Sequence, residues 1–251
     1  MSEELAALHA SVDQLHRIVA GLGPDQIRQP AYPTEWTVAD TLSHIGSGAV
    51  IMRRGFEDAL AGRDTPGDFN QSVWDEWNAK SPDDQAADAL VADAALLAAL
   101  ESATEEQLEG FHFSMGPMTL DFDGVVGLRL GDHVVHTWDI EVVLDAGATL
   151  TAEAVPIVID RVAVIAGFAG RSPGTDTVVP ILTSEPERHL SVVMTPDSVS
   201  LDPAEPGADA PLALPAEALI RLVYGRLDPD HTPAGIGGPV IEQLRLVFPG
   251  F

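Results

Sequence analysis

Apolar residues recur three and four places apart through most of the first 170 positions, and this spacing predicts long amphipathic helices. Ser2 opens the first, which runs to the breakers Gly21 and Gly23-Pro24. Thr37, with Asp40 three residues later, is an N-terminal capping signal for a second helix reaching about Ala61. Ser81-Pro82-Asp83-Asp84 combines an N-cap, a proline suited to the first turn and two acids facing the positive end of the helix dipole. The run AADALVADAALLAAL follows it. A fourth helix begins between Asp121 and Val125 and stops at Gly147, and Thr151 caps a further one through Phe168. After GRSPGTD, residues 170 to 176, the period changes. TVVPILT and HLSVVMT are short β-rich runs, an acidic Pro/Gly loop spans 202 to 211, and LPAEALIRLVYG, 214 to 225, returns to helix. The closing VIEQLRLVF fits helix or strand.

These elements predict an α+β chain. Residues 1 to 170 form a four-helix bundle, with connections at 22 to 36 and 62 to 80 long enough for crossovers, and residues 171 to 251 form a smaller α/β domain. The length supports two such cores, and no internal repeat is present.

No apolar run reaches the roughly 18 residues of a membrane span. The acidic, amphipathic N-terminus lacks the basic start and apolar core of a signal peptide, so the expected location is cytoplasmic, with no membrane partner. Thirteen basic against thirty-nine acidic residues give a formal charge of -26, a field that repels nucleic acid and leaves an anionic small molecule dependent on local arginines. The chain contains no cysteine. Disulfides, thiolate metal sites and a cysteine nucleophile are excluded, and thiol chemistry needs a thiol brought in from outside.

Candidate chemistry lies in LRLGDHVVHTWDIEVVL, residues 128 to 144, where Asp132 and His136 share a helix face beside the apolar stripe. An acid four places before a histidine occurs here three times, as Asp40/His44, Asp132/His136 and Glu185/His189, where chance supplies about one. The last falls among strands, where that spacing shares no helix face. In TVADTLSHIGSGAVIM, His44 lies among Leu42, Ile45 and Val50, and Gly46, Ser47 and Gly48 leave room beside it. If the second and fourth helices are neighbours, His44, Asp132 and His136 converge into a two-histidine, one-carboxylate set able to hold zinc, iron, nickel or manganese with open positions. The alternative is a packed His44 and a core His136 satisfied by Asp132 or a backbone carbonyl. His133 points elsewhere round the helix, Asp40 is explained by the cap, and His9, His16, His112, His189 and His231 have no convergent partner.

EWTVADTLSHIGS, FNQSVWDEW, RLGDHVVHTWDIEVVL, ALIRLVYGRLDPDHTP and VIEQLRLVFPGF, in this order, resemble the mycothiol-dependent maleylpyruvate isomerase family over nearly the whole chain. The resemblance implies a DinB-like metal-binding bundle followed by the family's smaller domain, with His44, Asp132 and His136 as ligands of a divalent metal, usually zinc. Aspartate at 132 departs from the family's glutamate and shortens the arm by one methylene. Asp139, after Trp138, matches a position that orients a ligand histidine or is a surface acid of the same helix. Asn70 sits on a family-like position facing the site or a loop backbone. Arg226 resembles the family arginine that binds a carboxylate of substrate or cofactor, or is a helix-end arginine favoured by the dipole. Arg129 is a further anion-binding candidate. The implied cosubstrate is mycothiol, a low-molecular-weight thiol, and the implied partner a small electrophile. Thiol addition, bond rotation and elimination would isomerise a cis double bond, and addition alone would be S-transfer. The chain is then a monomer or homodimer. A non-catalytic metal- or ligand-binding bundle and a metal-dependent hydrolase are the competing classes.

Overall fold

The computed structural model describes residues 2–33, 35–115, 118–206 and 210–250, with Met115 described through its backbone alone. The chain divides into two compact units, Met1–Ala148 and Thr149–Phe251.

The first unit contains α1 (Glu3–Ala20), α2 (Pro24–Ile27), α3 (Val38–Leu60), α4 (Phe69–Asn78), α5 (Pro82–Glu101) and α6 (Glu105–Leu108). A hairpin follows, β1 (Phe113–Met115) with β2 (Met118–Leu120), and then α7 (Phe122–Glu141). Each long helix starts where a side chain supplies the acceptor its first turn lacks. Ser2 accepts from Leu5 N, Thr37 from Asp40 N, Ser81 from Asp84 N and Asp121 from Gly124 N. Thr37 N donates back to Asp40 Oδ2 at 2.9 Å, so Asp40 is committed to the cap.

α3 packs on α5 and α7, and α1 on α5 and α7, so these helices form a bundle around Leu15, Leu42, Ile45, Trp77, Ala89 and Ile140. At Gly46 a Cβ would lie 2.2 Å from the Trp77 ring and 2.8 Å from Ala89 Cα, so the bundle closes there only because the side chain is missing. α4 occupies part of the segment expected as a connection. Its Phe69, Val73 and Trp77, spaced four apart, pack into this core. α7 ends at Glu141, earlier than expected, and is buried round most of its surface, including Arg129, His133, His136, Thr137 and Asp139.

The second unit contains α8 (Val155–Ile159) and α9 (Val162–Ala169), the strands β3 (Thr177–Ser184), β4 (Arg188–Met194), β5 (Val199–Pro203) and β6 (Leu212–Pro215), α10 (Ala216–Val223), a 3-10 turn Pro229–His231 and α11 (Pro239–Val247). The sheet order is β5-β4-β3-β6, antiparallel except for the parallel pairing of β3 with β6. Val179, Ile181 and Thr183 alternate onto its buried face. The single helix expected through Phe168 is two short ones, and α8 and α9 pack against α10 and β5. α8 and α9 thus fall in the compact unit that starts at Thr149. β5 takes positions 202 and 203 from the acidic loop, whose residues 207–209 lie outside the described residues. VIEQLRLVF is helix, as α11. Among the described residues no helix is long and apolar enough to cross a membrane.

Candidate metal centre

α3 and α7 bring the three predicted ligands together. His44 Nε2 lies 3.4 Å from Asp132 Oδ1, and His136 Nε2 lies 3.6 Å from the same oxygen. All three ligand atoms fall within 4.8 Å of one another. A tetrahedral ion with bonds of about 2.1 Å has ligand-to-ligand edges of about 3.4 Å, so this donor set fits a divalent metal. The side chains of His44 and Asp132 are 41% and 37% exposed and that of His136 11%, which leaves one side of the set open.

The three side chains are held from behind. His136 Nδ1 is 2.9 Å from Asp139 Oδ2, and Asp139 is fully buried. A carboxylate only accepts, so Nδ1 carries the proton and Nε2 turns its lone pair to the site. Asp139 is thus a buried partner of His136 and not a surface acid. Arg129 Nη1 donates to Asp132 Oδ2 at 2.8 Å, which leaves Oδ1 toward the histidines. Burial pushes the Asp132 carboxyl up, but the His44 hydrogen bond and the Arg129 charge oppose it and hold the group well below the usual carboxylate range.

Trp36 forms an aromatic wall, its ring 5.3 Å from that of His44 and 6.1 Å from that of His136, and 24° from parallel with the latter. Its loop is closed by Ala31 N donating to Trp36 O at 2.8 Å and tied to α7 by Tyr32 N donating to Asp139 O at 3.0 Å.

A buried polar layer lies beneath. Arg129 Nη2 donates to Asp93 Oδ1 at 2.8 Å and to Ile45 O at 2.9 Å. Asp93 Oδ2 is 2.6 Å from His133 Nε2, and His133 Nδ1 is 2.7 Å from Ser11 Oγ. Burial raises the Asp93 pKa, and the charges and hydrogen bonds of His133 and Arg129 overcome this to lower it to about 2. Ser11, His133 and Asp93 stand in the order of a nucleophile, base and acid, but they are 0%, 0% and 1% exposed, so they serve the core.

The room expected beside His44 is taken by protein, the Trp77 ring at Gly46 and, at Gly48, Arg129 Nη1, 3.2 Å from where a Cβ would sit. Arg129 is 1% exposed and shared by two carboxylates, so it cannot receive an anion from solvent. His133 turns from the cluster, as its angular offset predicts. Asn70 is exposed in the first turn of α4 and makes no hydrogen bond to the three ligands. Arg226 is buried in the second unit, with Nη1 donating to Tyr224 O at 2.6 Å. Trp36 and Asp93 are site neighbours that spacing did not single out. For Asp93 the signal was an acid inside an alanine-leucine run.

A helical bundle with a two-histidine, one-carboxylate cluster, followed by a unit built on a mixed four-stranded sheet, defines the class of this chain. Residues 8–141 match the profile of the mycothiol maleylpyruvate isomerase N-terminal domain, and the chain belongs to that family. Two solved structures share the fold. One is the mycothiol-dependent maleylpyruvate isomerase, with TM-score 0.65, 16% identity and 90% of each chain covered. The other is a histidine-to-alanine mutant of that enzyme, with TM-score 0.64, 15% identity, and 90% of this chain and 89% of that one covered. The search of curated proteins finds no match.

Proposed function

We propose that the chain is a metal- and mycothiol-dependent enzyme acting on a small electrophile, by cis-trans isomerisation of the maleylpyruvate type or by S-transfer. The observation that carries this reading is the cluster of His44, Asp132 and His136, with the His136 tautomer set by Asp139, in a chain of this family that has no cysteine of its own. These residues would hold a divalent metal, with zinc the first candidate, which when bound would lower the pKa of an incoming thiol so that thiolate is present at neutral pH.

The chain's own groups shape the rest. Asp132 stays ionised and supplies the negative charge among the ligands. Asp139 holds the His136 proton on Nδ1. Trp36 walls one side of the histidines, while the exposed edges of His44 and Asp132 face the incoming reactants. Addition of the thiol across a cis double bond beside a carbonyl leaves a single bond that rotates. Expulsion of the same thiol restores the double bond as trans, and omission of that expulsion leaves a thioether. Arg226 is assigned to a carboxylate of substrate or cosubstrate and Asn70 to contact with the cosubstrate, both on the family resemblance alone. The reaction belongs in a reducing cytoplasm, where a low-molecular-weight thiol persists.

The test is turnover of maleylpyruvate and of thiol-reactive electrophiles by zinc-loaded protein, with and without mycothiol. Consumption that needs both thiol and His44 is the expected result. Equal turnover without thiol would indicate a hydrolase, and none with any electrophile a binding module.

A further inference from the structure

We propose that Arg129, braced by Asp93, is a positioning residue that fixes the rotation of Asp132 so that Oδ1 alone faces His44 and His136; this rests on the metal reading above. The two oxygens of Asp132 have different partners. Oδ1 faces the histidines at 3.4 and 3.6 Å, and Oδ2 takes Arg129 Nη1 at 2.8 Å. With its side chain 37% exposed, Asp132 could otherwise rotate toward solvent, and the guanidinium is the group that ties its second oxygen to the core.

Arg129 is itself held at both terminal nitrogens, although its buried Nε has no hydrogen-bond partner. Its second nitrogen meets Asp93 Oδ1 at 2.8 Å and the carbonyl of Ile45, the residue after His44, at 2.9 Å. Asp93 is held by His133 at 2.6 Å, and His133 by Ser11 at 2.7 Å. The connected groups lie on α1, α3, α5 and α7, so the carboxylate is referenced to the helix that carries His44 and to the rest of the bundle. Gly48 leaves the space that the guanidinium needs, since a Cβ there would sit 3.2 Å from Nη1. Burying an arginine and an aspartate is a poor way to gain stability, because an apolar set of equal volume commonly does as well. An arginine whose third partner stands at the rim of the ligand cluster therefore points to geometry at the site.

The experiment measures zinc affinity by chelator competition and the visible spectrum of the cobalt(II) protein, with thermal unfolding of the metal-free form alongside. Wild type is expected to bind one equivalent and His44→Ala none. Arg129→Lys keeps the charge but loses the planar fork. It is expected to weaken zinc binding roughly 10- to 100-fold and to change the cobalt band intensity, because a carboxylate free to rotate engages the ion through both oxygens. Gly48→Ala pushes the guanidinium by a few tenths of an ångström. It is expected to weaken zinc binding by a smaller factor without lowering the unfolding temperature, alanine being the better helix former. A merely structural Arg129 would lower the unfolding temperature and leave affinity and spectrum unchanged, and that result overturns the proposal. If Arg129→Lys does not fold, unchanged affinity in Gly48→Ala overturns it. No metal in the wild type overturns the metal reading and this proposal together, whereas loss in His44→Ala with no change in the other two variants overturns the positioning role alone.

Discussion

Asp139 decides which nitrogen of His136 faces the cluster, because its buried carboxylate accepts from Nδ1 at 2.9 Å. Asp139→Asn removes the charge at nearly constant volume and is expected to weaken zinc binding by roughly 10- to 100-fold with the fold intact, as read by chelator competition. Asp93 predicts a pH effect. Its pKa is lowered to about 2 in the folded chain, against about 3.9 for an ordinary aspartate. The unfolded chain therefore binds the proton first, so the stabilisation is complete above about pH 4 and is lost as pH falls toward about 2. Two pKa units correspond to roughly 2–3 kcal/mol. Urea unfolding is expected to find Asp93→Asn less stable than wild type at about pH 5, with the two curves converging as pH falls toward about 2. His44, Asp132 and His136 were legible because helical spacing and apolar neighbours put two of them on one inward face. The Arg129 and Asp93 pair was not, since 36 residues separate partners that meet only across packed helices.

At the scale of elements, the caps wrote the starts of the long helices into the sequence. Ser2, Thr37, Ser81 and Asp121 each accept the backbone N-H that their positions predict. α4 carried its signal in Phe69, Val73 and Trp77, but ten residues within a connection rich in glycine, proline and acids read as loop. α8 and α9 read as one helix because their apolar spacing runs on across Asp160 and Arg161, where the helix breaks. The three-residue strands of β1 and β2 are too short for alternation to register. Close packing of α3 against α5 is testable at Gly46. Gly46→Ala drives a methyl into the Trp77 ring and the Ala89 backbone, and chemical denaturation is expected to show a loss of roughly 1–3 kcal/mol, which the better helix propensity of alanine does not offset.

Over the whole molecule, a formal charge of -26 sets the encounter with any anionic substrate. Repulsion acts across about 30 Å at 0.01 M salt and about 8 Å at 0.15 M. If the electrophile is a carboxylate, kcat/KM is expected to rise with salt over that range. A neutral electrophile would show little dependence, so the salt profile separates the two substrate classes. The missing cysteine and the -26 charge bear on the same point, since under the proposed function the thiol comes from outside and any anion is held by local groups against the chain's own field.

The most direct measurement is the divalent metal content, by elemental analysis after metal loading and dialysis, of wild type, His44→Ala and His136→Ala. The arrangement around Asp132 predicts about one equivalent in the wild type and loss of that metal in both variants, since removal of either imidazole leaves two protein donors where structural and catalytic sites use three or four. Wild-type protein that takes up no metal, or variants that retain it in full, would contradict the metal centre and leave a bundle whose histidines serve packing.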